Sequence, residues 1–220
     1  MIKKDDELTN WELIYIKRND ALKSFNFHII YTVPLGWIYS LHGSRLGEIY
    51  GNEPVVLPMV KIYNRETKEE YEKGIDSLVE LIRKRIDIEK IFGGNLNLIK
   101  KICKQSGGVL RDFIRIIRYA ADECDVLPIT EKAVDKAFSK IITAYSRAVP
   151  VEYLAKLINI FETNEMPQEK NNTENMIMLN SLMVIEYQNG SQPWYKLHPA
   201  VEQLKIFKDK IAEKKRSPEK

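Results

Sequence analysis

The sequence has few of the residues from which metal sites and disulfide frameworks are built. Its 220 residues include two cysteines and three histidines. Cys103 and Cys124 form no metal-ligand spacing, and the histidines are scattered. Both cysteines fall on apolar faces of expected helices, so we predict buried thiols in a reducing cytosol. We find no nucleophile–base pair, and the sequence predicts neither a metal site nor a catalytic residue.

Long apolar runs and a large excess of charge are also missing. No stretch approaches the roughly 20 consecutive apolar residues of a membrane-spanning helix. The first residues carry charges without an apolar run, so we expect no secretion signal. The net charge of +3 permits a nucleic-acid partner but does not argue for one. We therefore expect a cytoplasmic protein with no membrane partner.

The segment 1–63 has the pattern of an α/β structure. Residues 27–33 are β-branched and aromatic and stop at Pro34, which is typical of a strand buried on both faces. Residues 55–62 predict a second strand that starts at Met59, because Pro58 cannot donate to a ladder. Two strands and one helix cannot close a core, so we expect this segment to be the edge of a larger domain.

Residues 64–146 predict four amphipathic helices with short links, which is the pattern of a small bundle. Glycine pairs at 93–94 and 107–108 separate the first three helices, and Pro128 ends the third. Thr130 is the expected N-cap of the fourth helix.

Residues 147–206 predict a winged helix, with two helices followed by a hairpin through Asn189-Gly190. We expect residues 207–220 to form a charged, frayed tail. The fold class is thus mostly α with minor β: a partial α/β core edge, a four-helix bundle and a winged-helix domain.

A basic stripe follows the second glycine pair. Arg111, Arg115 and Arg118 are four and then three residues apart, so they share one side of a helix, opposite Leu110, Phe113, Ile114 and Ile117. An arginine at a helix start can reach a phosphate through paired, charge-assisted hydrogen bonds. The alternative is a solvated stripe with Asp112 and Asp122 as ion-pair partners.

The order of these elements resembles the back half of an AAA+ or STAND-type P-loop ATPase, including its origin-recognition-like branch. The resemblance covers about residues 25–206 and is carried by the strand ending Ile30-Tyr31-Thr32-Val33-Pro34, the Gly107-Gly108-Val109-Leu110-Arg111 corner, and the wing. It implies that the bundle is the ATPase lid, that Arg111 is its "sensor 2" arginine, and that Thr32 is the polar "sensor 1" residue. An ordinary strand residue is the alternative for Thr32.

The P-loop of that family is absent, because nothing matches G-x-x-x-x-G-K-[ST]. Asp5-Asp6-Glu7 carry acids like those of the family's Walker B strand, but no apolar strand precedes them. Without a phosphate cradle, hydrolysis lacks its positioning and charge stabilisation. We therefore expect no ATPase activity from this chain alone, and ATP as a cofactor only together with a missing core. The chain would be a truncated or split gene product, or an excised fragment.

The resemblance implies a regulatory role, in which the lid senses nucleotide and the winged helix passes the change to a protein partner. In oligomeric relatives an arginine near Arg45, expected here in the loop 41–47, reaches a neighbouring subunit's nucleotide; a solvated loop arginine is the alternative. The rival function is a winged-helix nucleic-acid-binding protein with a helical dimerisation element. Helix 173–182 offers little support for this rival, because its outer residues are not basic. An interaction scaffold without a ligand is the third option.

Overall fold

The structure is a computed structural model that describes residues 10–39, 43–167 and 173–216. Its contacts divide the chain into two units. The first unit takes in the described residues up to Leu57 together with 173–180, and the second takes in 58–167 and 181–216. The chain is mostly helical with a small antiparallel sheet, which confirms the predicted class of mostly α with minor β.

Short helices make up the first unit. They are α1 (Asn10–Glu12), which runs into a π-helical turn (Leu13–Lys17), α2 (Asn19–Lys23), α3 (Leu35–Ile38), α4 (Gly43–Tyr50) and, later in the chain, α11 (Thr173–Asn180). Ile16, Trp37 and Leu46 form its buried centre. The Gly36 amide donates a 2.9 Å hydrogen bond to Oδ1 of Asn180, which ties α11 to α3.

The prediction of a strand at residues 27–33 is wrong. These residues are not helical, but they belong to no ladder, and the side chain of Ile30 is 94% exposed rather than buried. A strand needs a neighbour to accept and donate its backbone hydrogen bonds, and the described residues offer none here. The α/β core edge is therefore not formed in the described part of the first unit.

The second expected strand, at 55–62, is also wrong. Its end is held in the second unit by two single hydrogen bonds, from the Met59 amide to the Glu186 carbonyl (3.2 Å) and from the Val60 amide to the Gly108 carbonyl (3.3 Å). Beyond it, Tyr63 and Glu70 form one isolated bridge. These isolated hydrogen bonds hold the segment in the second unit, but they do not form the continuous ladder that defines a strand.

Arg45 lies in the first turn of α4, not in a loop. The segment is helical because Leu46, Ile49 and Tyr50 recur at helical spacing and pack around Ile16. Two other expectations, on Asp5–Glu7 and on residues 41–42 of the predicted loop, fall outside the described residues.

Five helices follow in the second unit. They are α5 (Glu72–Arg83), α6 (Ile88–Phe92), α7 (Leu96–Ser106), α8 (Leu110–Asp122) and α9 (Glu131–Ala148). The short α6 is additional to the four expected helices, and the left-handed Gly93 ends it. Thr130 caps α9 by accepting the Ala133 amide at 3.2 Å, as predicted. The α7–α8 and α8–α9 pairs pack against one another.

The remaining elements of the second unit include the predicted hairpin. They are a 3₁₀ turn (Val151–Tyr153), α10 (Leu154–Thr163), β1 (Val184–Asn189), β2 (Gln192–Leu197), α12 (Pro199–Glu202) and α13 (Lys205–Arg216). In the hairpin register Tyr187 pairs with Trp194, and Gly190 takes the left-handed turn conformation (φ 62°). The hairpin is confirmed, whereas the winged helix stays a prediction, since α11 packs on α3 in the first unit.

The expectation of a frayed tail is wrong for residues 207–216. They belong to α13, and Phe207 is buried, with its ring 5.5 Å from that of Phe161 on α10. Lys214 also pairs with Glu162 at 2.8 Å. Through these two contacts α13 packs against α10, although the charged composition of α13 gave no indication of such packing.

Candidate functional site

The glycine corner before α8 is buried inside the protein. Gly107 and Gly108 have φ angles of 62° and 76°, and both lie away from solvent. A Cβ on Gly108 would lie 1.9 Å from the Val60 carbonyl oxygen, so only glycine fits this crossing. The corner is therefore packed against its own chain and does not form an open phosphate cradle.

The hairpin locks this corner in place. The hydroxyl of Tyr187 donates a 2.5 Å hydrogen bond to the Gly107 carbonyl oxygen. The side chain of Ser106 donates to the Cys103 carbonyl and accepts the Gly108 amide at 3.2 Å. As a result, β1 and the junction between α7 and α8 are joined by a buried hydrogen bond.

Helix α8 turns a different face inward from the one the sequence predicts. Phe113, Ile116 and Ile117 are buried, whereas Ile114 is 44% exposed. The inner face is shifted because it also includes Asp112, a fully buried acid. Sequence patterning missed this shift, since a carboxylate enters a core only when its surroundings supply donors.

Asp112 is surrounded by donors from three parts of the second unit. Its Oδ1 accepts a 2.9 Å hydrogen bond from Nη1 of Arg115, and its Oδ2 accepts one of 3.2 Å from the Tyr145 hydroxyl on α9. Nε2 of His198, just before α12, lies 3.3 Å from Oδ2. This group, which we call the Asp112 network, connects α8, α9 and the end of the hairpin.

The second nitrogen of His198 fixes its protonation state. Nδ1 accepts the Ala200 amide at 3.1 Å and so caps α12. An accepting Nδ1 carries no proton, so the proton of the neutral ring sits on Nε2, facing Asp112. The ring also stacks on Tyr145, with centroids 4.5 Å apart. Protonation of Nδ1 would place two donors face to face and break the cap.

The local electrostatics agree with this geometry. Burial opposes ionisation of Asp112, but His198, Arg115 and Arg111 outweigh it and lower the carboxyl pKa below its ordinary value. Burial lowers the pKa of His198, which favours the neutral ring. Burial, with Asp112 beside it, raises the pKa of Tyr145. The network therefore holds one negative carboxylate, with Arg115 as its hydrogen-bonded cation.

Arg111 lies at the edge of this network. Its side chain is 63% exposed, and its Nε is 3.8 Å from Oδ1 of Asp112. Its guanidinium therefore faces solvent at the N-terminal turn of α8 while it neighbours a buried acid. Such an arginine can bind an external anion, and its displacement would change the charge felt by Asp112.

The other two predicted site residues belong to the first unit. Thr32 is exposed and lies outside any strand, and its carbonyl oxygen accepts a hydrogen bond from the Tyr15 hydroxyl at 3.2 Å. Arg45 is exposed on α4. Of the three predicted site residues, only Arg111 therefore belongs to the second unit.

Asp112, Tyr145 and His198 were not predicted as site residues. The sequence predicts Asp112 only as an ion-pair partner of the arginine stripe, and its ion pair with Arg115 is present in the structure. One local sequence signal was available for His198. It directly precedes Pro199, and proline is common at the first position of a helix, so the order predicts His198 as the N-cap of α12.

Comparisons with known protein families, curated proteins and solved structures found no match. Within the described ranges, no three or more His, Cys, Asp or Glu side chains are placed to hold a metal ion. In the same ranges no helix has the length and apolar character needed to cross a bilayer. Cys103 is buried, which raises its pKa to about 12, and Cys124 is half-buried.

Proposed function

We propose that this chain is the lid and C-terminal portion of a STAND/AAA+-like ATPase. In this proposal Arg111 responds to a phosphate of nucleotide held by a separate core. The Asp112 network passes that response to α12 and the hairpin, and through them to a protein partner. The chain has no hydrolytic activity alone, and it acts in the cytoplasm.

The observation that supports the proposal is the position of Arg111 between solvent and a buried acid. An anion that binds the guanidinium weakens its interaction with Asp112 at 3.8 Å. A partly exposed ion pair of this kind contributes about 0.2–1 kcal/mol. Loss of that energy would shift a two-state equilibrium by at most about fivefold. The expected coupling between anion binding at Arg111 and the conformation of the second unit is therefore modest.

Calorimetric titration of the purified chain with ATP and Mg²⁺ is the first test. We expect no affinity tighter than millimolar, because nothing in the sequence supplies a P-loop. Micromolar binding with turnover would mean that the chain contains a complete site and would contradict the proposal.

The second test restores the core. The genomic DNA upstream of Met1 would be translated in all frames to find a G-x-x-x-x-G-K-[ST] loop, and that polypeptide would be produced together with this chain. ATP hydrolysis by the pair should fall when Arg111→Gln is introduced. Arg118→Gln, an exposed arginine two turns further along α8, is the matched control. Equal rates for the two variants would remove Arg111 from the mechanism.

The alternative function, nucleic-acid binding, has one supporting observation. Helix α13 is rich in lysine and ends in Lys214, Lys215 and Arg216. Two of its lysines are paired with acids, Lys210 with Glu213 and Lys214 with Glu162, which reduces the free charge. A filter-binding titration against salt decides between the functions: phosphate contacts predict a steep fall in affinity.

A further inference from the structure

A small cleft in the second unit is distinct from Arg111 and the Asp112 network. It lies where the turn after Tyr63, the end of α10 and strand β2 meet, and it encloses about 140 Å³. Three cations line it, Arg65, Lys68 and Lys196, and its other lining residues include the aromatic Tyr63, Phe161 and Trp194. No carboxylate is among its lining residues.

Backbone structure places the first two cations. The turn is held by hydrogen bonds from the Asn64 amide to the Glu69 carbonyl (2.9 Å) and from the Lys68 amide to the Asn64 carbonyl (3.1 Å). Lys68 has a φ of 60°, an unusual conformation for a residue with a side chain. The turn therefore fixes the backbone of Lys68, while the residue itself is exposed.

The third cation comes from the hairpin. Nζ of Lys196 lies 4.8 Å from the ring centroid of Tyr63 and 3.4 Å from Oε1 of Glu202. The cation–π contact with Tyr63, which also lines the cleft, and the ion pair with Glu202, which does not, restrict this side chain. Burial raises the pKa of the Glu202 carboxyl, and the neighbouring Lys196 opposes this rise.

Arg65 is paired with an acid at the rim. Its Nη2 lies 3.0 Å from Oε1 of Glu165, whose side chain is 70% exposed. An exposed ion pair of this kind is weak, so a stronger anion can take the place of Glu165. Asn164, in the left-handed conformation at the end of α10, adds an amide group to the lining.

We propose that this cleft binds the phosphoryl group of a small phosphate ester. Three cations from two chain segments suit the three terminal oxygens of a phosphate dianion, and the Arg65 guanidinium suits its paired geometry. Among the aromatic lining residues Phe161 is 38% exposed, and its ring would contact the apolar part of the ester. The volume lies below the roughly 300–1,000 Å³ of drug-sized ligand sites. The occupant is therefore one phosphoryl group with a small substituent, not a whole nucleotide.

The test is a ¹H–¹⁵N NMR titration of the whole chain at constant ionic strength. The probes are inorganic phosphate and phenyl phosphate, with potassium acetate as the carboxylate arm and potassium chloride as the salt arm. Saturable shifts of the Asn64, Lys68 and Asn164 amides are expected with both phosphates, with phenyl phosphate binding more tightly. Linear shifts with all four salts, or a better response to acetate, would overturn the proposal.

Variants then locate the binding. Lys68→Gln and Arg65→Gln should each weaken phenyl phosphate binding about tenfold. Glu165→Gln should tighten it about twofold to fivefold, because Arg65 is released from its ion pair. Lys73→Gln, which removes the same charge from an exposed position on α5, is the control and should change nothing.

Three results would refute this location. They are equal weakening by Lys73→Gln, no gain from Glu165→Gln while Arg65→Gln weakens binding, or loss of binding in Arg111→Gln. The last result would place the anion at Arg111 instead. If the cleft does not bind phosphate, the proposed function is not affected, because the role of Arg111 is tested separately by ATP hydrolysis with the restored core.

Discussion

Replacement of Asp112 by asparagine tests the central packing argument of the second unit. The substitution keeps the shape of the side chain but removes the charge and one acceptor oxygen. If the remaining oxygen still accepts from Arg115, the new amide group faces the Tyr145 hydroxyl and the Nε2 proton of His198. Tyr145 can rotate its hydroxyl, whereas His198 cannot accept without giving up its cap on α12.

The expected loss in the free energy of unfolding follows from these contacts. One lost charge-assisted hydrogen bond is worth about 1.5–3 kcal/mol, and one stranded buried donor costs about 1–3 kcal/mol. Because Arg115 is partly exposed and regains water, we take the lower half of both ranges and expect a loss of about 3 kcal/mol. That is a large part of the 5–15 kcal/mol by which domains are typically stable.

The measurement is urea unfolding followed by circular dichroism at pH 7.5, with native-state hydrogen exchange to assign the loss to the second unit. Asp122→Asn, in the last turn of the same helix, is the control. It should change the free energy of unfolding by less than about 0.5 kcal/mol, because Asp122 is exposed. A loss below about 1 kcal/mol in Asp112→Asn would refute the view that the network holds these helices together.

Three further predictions rest on the same unit. Burial lowers the pKa of His198 below its ordinary 6.5, so the unfolded chain takes up this proton first as the pH falls. The stability that depends on the neutral ring is therefore complete above pH 6.5 and declines from there toward the lower folded pKa. Urea titrations between pH 7.5 and 4.5 should show a shallower decline in His198→Asn, which keeps a capping acceptor but cannot titrate; an unchanged slope would contradict this. Gly108→Ala should cost about 3 kcal/mol or more, because a left-handed alanine costs about 1–2 kcal/mol and its Cβ would also overlap a carbonyl oxygen. Gly190→Ala, with φ 62° and open space around the added Cβ, should show the backbone cost alone in the same thermal or urea assay, and equal losses would disprove the steric argument. Tyr187→Phe leaves the buried Gly107 carbonyl without its 2.5 Å partner, so we expect a loss of about 1–3 kcal/mol in urea unfolding, and no loss would show that the bond is dispensable.

Local patterns predicted the positions of helices α7, α8 and α9 and the hairpin. Helices α7, α8 and α9 have apolar residues at helical spacing, and the break at Gly107-Gly108 is where the sequence predicts it. Pro128 does not end α8, which already ends at Asp122. The Thr130 cap and the hairpin turn at Gly190-Ser191 depend on neighbours only a few residues away. Such features are readable because the atoms that decide them are close in sequence.

The same patterns failed where a distant partner was required. The apolar run at 27–33 has strand composition, yet it is not a strand, since strand identity depends on a neighbouring ladder. The tail at 207–216 has a charged composition, yet it is helical because Phe207 meets Phe161. In both cases the composition of the segment gave the wrong prediction, because its structure depends on contacts with residues that are distant in sequence.

The sequence by itself determined the mostly helical class, the capped start of α9, the hairpin turn and the helical stripe that contains Arg111. Only the tertiary structure decided that Asp112 lies in the core, that His198 faces it, and that the glycine corner is packed against Val60. The physical reason is that helix periodicity and turn chemistry act over a few residues. By contrast, a buried charge is tolerated only where donors from α8, α9 and the start of α12 converge, and no local pattern records that convergence.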